Sequence, residues 1–347
     1  MKSHKEGAKR GMERKEQIKK SLSRRDSEIN HKRREQVAQL QLEYKRCKQK
    51  TQCAAELLYE KLKIRNPEIH SLRRKIESDP AVAMYTGLIE RYLPMPVLQH
   101  NGFFELSDTS HAVSVIDLGL AFFINENGPA EQYNLLFTVL FGHDLGKSKE
   151  FLKDIVHHYP KNIPSKKALE AISKNLGKEP ETFQDTRIPH EIVSGYGISR
   201  FLSQAGFSNE EIETAVSAVL VHDYSTKFLK TPPEISLGEP ATILEQVLHD
   251  SDKWSRIFNS GYETAEYAYN YMKELIGQGK TITYADALFE TVKKADRNAR
   301  HLIRSSYLPT LQRPEVVNLA LQYSKLSLKA LEIQANIIKL SARRRYQ

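Results

Sequence analysis

From Asp79 onward the apolar residues of this chain recur at the three- and four-residue spacing of helices, and alternating apolar and polar positions are nearly absent. The pattern predicts an all-α body. It places helices at Ala81 to Tyr92, Ser110 to Ile124, Glu131 to Gly142, Ser165 to Asn175, His190 to Ala205, Asn209 to Val221, Ala241 to Ile257, Tyr262 to Ile276, Tyr284 to Ala299 and Pro314 to Leu340. Local signals mark several ends: Ser110 and Ser208 are suited to cap N-termini, Gly177 and Gly206 follow helix ends, and Pro189 fits a first turn. Upstream the pattern is different. No proline precedes Pro67 and only Gly7 and Gly11 interrupt that span, so Met12 to Ile64 reads as one or two long helices. Their apolar stripe is thin: Ile18, Leu22 and Ile29 keep a heptad-like spacing, Lys and Gln then fill its positions, and Val37 and Leu40 restart it out of phase. The expectation is a solvated or partner-dependent helix, not a sustained coiled coil.

Charge sharpens that division. Residues 1 to 50 hold 17 Lys and Arg against 7 Asp and Glu, a block of +10, whereas the rest of the 347-residue chain holds 35 against 36 and sums to −1. A basic helical arm over 1–66 therefore precedes a near-neutral body, and such an arm offers phosphate attraction to a nucleic acid or another polyanion. Tyr44 is the one aromatic residue of residues 1 to 50, which leaves little for base stacking. The longest apolar run, Leu135 to Phe141, is broken by Thr138, and Val113 to Ile124 carries Asp117, so no membrane span is expected. No secretory signal is recognisable, and Cys47 and Cys53 alone cannot build a disulfide framework or a four-thiolate zinc site. A cytoplasmic, reducing setting is the expectation.

Seven of the twelve histidines lie between His111 and His249, and the chemistry-bearing ones recur beside apolar helices. In chain order they are His111 in TSHAV, His143 and Asp144 in FGHDLGK, His190 in IPHEI, His222 in VLVHDY, and Asp252 in LHDSDKW. Imidazole and carboxylate are the ligand types that suit zinc, iron, manganese or nickel, and two such metals require a carboxylate that can bridge them. Asp144 is placed for that role, at the end of the apolar helix containing Leu135, Leu136, Val139 and Leu140, where an unpaired buried charge would be costly.

This arrangement resembles the HD superfamily of metal-dependent phosphohydrolases, whose signature is a histidine, an adjacent His-Asp pair and a distant aspartate on a helical bundle. The resemblance covers His111 to Arg256 and rests on HDLGK after an apolar helix, the upstream His-x-x-x-Val and the downstream Ser-Asp-Lys-Trp. It implies an HD-type domain over 79–260, followed by C-terminal helices over 261–347 packed on it. Dinuclear members use six ligands in the order His, His-Asp, His, His, Asp, and this chain matches that order. By position, His111, His143, Asp144 and Asp252 would hold one divalent transition metal, and Asp144, His190 and His222 a second. Lys147 would contact a substrate anion, with Arg187, Lys227 and Arg256 as further phosphate-binding candidates. The implied activity is hydrolysis of a phosphoester or phosphoanhydride of a nucleotide or nucleic-acid-derived substrate by metal-bound hydroxide.

Departures from the pattern exist. His249 and Asp250 compete with Asp252 for the last ligand position, and Asp223 after His222 makes a second His-Asp dipeptide. Asp252 is preferred because a basic and a bulky residue, Lys253 and Trp254, follow it. The lysine-rich stretch from Ser148 to Pro189 is long enough for a lid, and His157 and His158 within it read as a solvated helix end. Residues 148–150 read SKE where guanosine tetraphosphate hydrolases carry a Glu-Asp pair, so that substrate ranks low. The same six ligands also resemble those of mixed-valent di-iron oxygenases similar to inositol oxygenase. A third resemblance, of YLPMPVLQHNGFFELSDTSHAV to HD-type conjugative relaxases, implies a nucleic-acid-binding protein.

Overall fold

The computed structural model describes residues 2–92, 108–148, 150–151, 154, 190–223 and 239–342, with the backbone alone at 2–26, 108–113, 192 and 262–263. Twelve helices carry the described residues, which contain no strand: α1 (Lys2–Lys61), α2 (Pro67–Glu77), α3 (Pro80–Ile89), α4 (Asp108–Asn125), α5 (Tyr133–Gly142), α6 (His190–Gln204), α7 (Asn209–Val221), α8 (Ile243–Phe258), α9 (Ser260–Gly277), α10 (Tyr284–Arg304), α11 (Pro309–Gln312) and α12 (Pro314–Ala342). The fold class is all-α, as the periodicity predicts. The expected helix over Ser165 to Asn175 lies outside the described residues. None of the described helices is long and apolar enough to cross a membrane.

The helix starts follow side-chain chemistry. Ser208 caps α7 and Thr242 caps α8, each in a capping box completed by the glutamate three residues on, Glu211 and Glu245. Gly206, at φ +88°, turns the chain after α6 in a conformation that a side chain would strain. Two starts differ from the sequence expectation. Ser110 is not the cap of the helix carrying His111, because the helix is already formed at Asp108, the first described residue there. Helix α2, absent from that expectation, is short: Ile69, Leu72 and Ile76 keep helical spacing, with only Ile69 and Ile76 buried, and its start is set by side-chain chemistry. Pro67 occupies the first turn, and the Asn66 side chain accepts a hydrogen bond from the Glu68 amide at 3.0 Å.

Glu245 does more than cap. Its carboxylate accepts hydrogen bonds from the Ala241 and Thr242 amides, at 2.8 and 2.9 Å, and from the Ser217 hydroxyl of α7 at 2.7 Å. Burial opposes its charge, but these donors outweigh burial and hold its pKa below the ordinary glutamate value. A depressed folded-state pKa gives stability that is complete above the unfolded value of ~4.3 and is lost as pH falls through the folded one. Glu245→Gln is therefore expected to lower stability by about 1–2 kcal/mol at pH 7. Denaturant titrations of both proteins should converge in acid, where the wild-type carboxyl is also neutral.

The main core gathers α3, α4, α5, α6, α7 and α8 around fully buried side chains that include Tyr85, Phe122, Phe137, Leu140, Ile198, Val219 and Trp254. Helix α4 lies between α5 and α8, while α6 and α7 form a hairpin whose second arm packs on both α5 and α8. This brings the C-terminal ends of α5 and α7, the N-terminus of α6 and the middle of α8 together. A second, smaller core joins α9, α10 and α12 through Ala268, Leu288, Val292, Leu328 and Ala335.

Of the two expectations for the long N-terminal helix, solvated or partner-dependent, the solvated one does not hold for its C-terminal part, which packs on other helices of the chain. Ala54, Leu58 and Leu62 belong to the main core, and Cys47 packs with Ala330 and Ile333 of α12. The Cys47 thiol donates to the Leu326 carbonyl at 3.2 Å, and Tyr59 stacks on Phe258 at 5.0 Å between ring centroids. The thin stripe is sufficient because its partners are long apolar helices. Burying each leucine supplies about 1.5–3 kcal/mol, which no solvated helix gains. Between residues 27 and 50 the basic side chains Lys32, Arg34, Lys45, Arg46, Lys48 and Lys50 remain exposed.

Candidate metal centre

Two of the predicted ligands end helices. Helix α5 stops at Gly142, His143 is its C-cap, and Asp144 leads into a single 3-10 turn, Leu145–Lys147. His222 is the C-cap of α7. At both positions the imidazole turns back on its own helix: His143 Nδ1 donates to the Leu140 carbonyl at 2.9 Å, and His222 Nδ1 to the Val219 carbonyl at 2.6 Å. This fixes the tautomer and aims the Nε2 lone pair inward, as expected of a metal-binding histidine with a backbone partner. His190 is the first described residue of α6, and its Nδ1 lies 3.5 Å from Glu191 Oε2.

The inward atoms converge on Asp144. Its Oδ1 lies 3.2 Å from His190 Nε2 and 3.7 Å from His222 Nε2, while its Oδ2 lies 3.6 Å from His143 Nε2. His143 Nε2 is in turn 3.8 Å from Asp252 Oδ1, and the Nε2 atoms of His190 and His222 are 3.3 Å apart. The two oxygens of one carboxylate thus face two different donor sets. His143 with Asp252 occupies the Oδ2 side, and His190 with His222 the Oδ1 side.

Among the described residues, two groupings of His, Asp and Glu atoms lie close enough to hold a metal ion, His143 with Asp144 and His222, and His190 with Glu191 and Asp223. The first spans both sides of the Asp144 carboxylate, as a shared ligand allows. Imidazole and carboxylate donors suit a transition metal. Atoms bound to one cation at about 2.1 Å stand about 3.0–3.4 Å apart. The separations of His190 from Asp144 and from His222, 3.2 and 3.3 Å, fall in that range, whereas those of His143 from Asp144 and Asp252, 3.6 and 3.8 Å, and of His222 from Asp144, 3.7 Å, are wider.

Burial opposes an imidazolium at His143, yet Asp144 and Asp252 outweigh it and raise its pKa. Burial likewise opposes the Asp144 carboxylate, but His143, His190, His222 and Lys147 hold its pKa well below the ordinary range. Burial, with His143 and His190 adjacent, keeps His222 below the ordinary imidazole value despite Asp144. His222 is therefore neutral near pH 7, the form that binds metal.

The acidic residues of α8 face different partners. Asp250 Oδ1 pairs with His249 Nδ1 at 2.9 Å, and its Oδ2 accepts from the Tyr307 and Leu308 amides at 2.8 Å each. His249 stands edge-on to Tyr307. Both residues thus secure the connection from α10 to α11, while Asp252 faces His143. Asp252 also meets cations: Lys253 Nζ at 3.3 Å and Arg256 Nη2 at 3.2 Å, both to Oδ2.

Lys147 Nζ lies 2.7 Å from Asp144 Oδ2, and its side chain is 36% exposed at the rim of the centre. The 3-10 turn explains this, because residues three apart eclipse one another there. The backbone of His111 lies in α4, and its side chain is outside the described residues. Arg187, Lys227, His157 and His158 also lie outside them. Three residues at the centre, Glu191, Asp223 and Lys253, are not among the sites that the sequence predicts. The second His-Asp dipeptide points to Asp223, but nothing in the sequence indicates which way Glu191 and Lys253 face. Compared with known protein families, curated proteins and solved structures, the chain matches none.

Proposed function

We propose that this chain is an HD-type, metal-dependent phosphohydrolase acting on a phosphoester or phosphoanhydride of a nucleotide or nucleic-acid-derived substrate. The observation that carries the reading is the Asp144 carboxylate, whose two oxygens face separate donor sets. In this reading His143, Asp144 and Asp252 would hold one metal, joined by His111 on the strength of the resemblance, and Asp144, His190 and His222 would hold the other. Two divalent cations of iron, manganese, nickel or zinc would supply Lewis-acid charge and an acidified water.

Formal charge supports an anionic substrate. Asp144, Asp252, Asp223 and Glu191 bring four negative charges to the centre, against three positive ones from Lys147, Lys253 and Arg256. Two divalent cations would turn this −1 into +3, which suits a phosphate better than a neutral polyol. Lys147 at the rim is the chain's own group for gripping a non-bridging oxygen.

The test is metal analysis of the purified protein combined with a panel of nucleotides and model phosphodiesters, run with and without oxygen. Hydrolysis that proceeds anaerobically and falls below about pH 6, where imidazoles protonate (ordinary pKa ~6.5), is the expected result. A requirement for O₂ would transfer the site to the di-iron oxygenase reading. Lys147→Ala is expected to keep metal content and folding while lowering kcat/KM by ~10²-fold, the effect of losing a charge-assisted contact. Lys147→Arg should recover part of this. Unchanged kinetics in Lys147→Ala would leave Lys147 only an ion partner of Asp144.

A further inference from the structure

Lys253 is a lysine with almost no access to water, 5% exposed in the middle of α8. Its ammonium makes a close ion pair with Asp223 Oδ1 and lies 3.3 Å from Asp252 Oδ2. Asp223 directly follows His222 at the end of α7. One buried cation therefore ties together the two segments that carry His222 and Asp252. Stability alone is a weak reason for such a pair, since well-packed apolar side chains in its place are often as stabilising.

We propose that Lys253, anchored by Asp223, is a positioning residue: it fixes the carboxylate of Asp252 and the end of α7 carrying His222, and so sets the affinity of the centre for metal. The inference rests on the metal-centred reading above. Lys253 holds Asp252 Oδ2, which leaves Oδ1 facing His143. Arg256 reaches both oxygens of Asp252, at 3.2 and 3.3 Å, from the more exposed side.

The probe is Co²⁺, titrated into metal-stripped full-length protein and followed by its visible absorption and by bound-metal analysis. Lys253→Met and Asp223→Asn are each expected to weaken Co²⁺ binding ~10- to 100-fold and to change the absorption spectrum. Lys253→Arg should return affinity to within a few-fold of wild type. The double variant Asp223→Leu/Lys253→Met removes both charges together, so its thermal stability should stay near wild type while its Co²⁺ affinity stays low. Wild-type affinity in a folded double variant overturns the proposal, and if that variant does not fold, wild-type affinity in Asp223→Asn does so. Weaker binding in Asp223→Asn with unchanged or tighter binding in Lys253→Met also overturns it, because Asp223 would then be a ligand. A wild-type protein that binds no Co²⁺ refutes the metal-centred reading itself.

Discussion

Asp144→Ala is expected to reduce bound metal from about two ions per chain to none, whereas His222→Ala should remove only one. The carboxylate faces His143 through one oxygen and His190 and His222 through the other, so its loss affects both donor sets. Loss of a residue that merely orients a ligand costs ~10- to 100-fold in affinity or activity, and loss of the shared ligand should exceed that range. Elemental analysis after dialysis is the direct measurement. Two metals retained by Asp144→Ala would overturn the dinuclear assignment. Folding should survive the change, because Asp144 contributes no buried apolar surface and the α5 core beneath it is intact.

Gly146→Ala should be the most disruptive single-methyl change near the centre. A Cβ at residue 146 would stand 2.2 Å from the His190 carbonyl oxygen and 2.9 Å from the Ser194 amide nitrogen. Both are backbone atoms of α6, so no side chain can rotate away. The Gly146 amide donates to the Ser194 hydroxyl at 2.8 Å, and this contact holds the turn after Asp144 against the start of α6. To admit the methyl, His190 must move away from Asp144. The expected cost is about 2–4 kcal/mol, at or above the usual range for overpacking because backbone must shift. Thermal unfolding should shift downward by ~5 °C or more. In protein kept folded at low temperature, the His190 and His222 side should lose metal before the His143 side. Wild-type stability and two tightly bound metals in Gly146→Ala would mean that the contact between the turn and α6 yields more easily than its geometry indicates.

The long helices are legible in the sequence because each must bury one face, and the three- and four-residue apolar spacing records that requirement directly. Their ends are legible where a side chain does the capping, as at Ser208. Helix α2 carries the same signals only briefly: Ile69, Leu72 and Ile76 keep the helical spacing and Asn66 with Pro67 marks the start, but its eleven residues bury just two side chains. The packing of α1 is not legible in this way, because a thin stripe is ambiguous until its partner is known. That partner is α12, and Cys47 and Leu326, which join the two helices, are 279 residues apart.

The order of His and Asp residues along the chain, and their positions beside apolar helices, were determined by the sequence itself. Which atoms meet was decided only by the tertiary structure. Asp250 and Asp252 are two residues apart, about 200° around a helix with about 3.6 residues per turn, so they face nearly opposite sides. Helix α8 is buried on almost every side, and its apolar pattern could not say which side holds the centre. The packing of α8 against α4 and α7 decided it, directing Asp252 to His143 and Lys253 to Asp223 while Asp250 capped residues 307 and 308. The two faces of the Asp144 carboxylate were likewise set by where α6 and α7 come to rest, since long-range packing, not local spacing, fixes the distance between side chains on different helices.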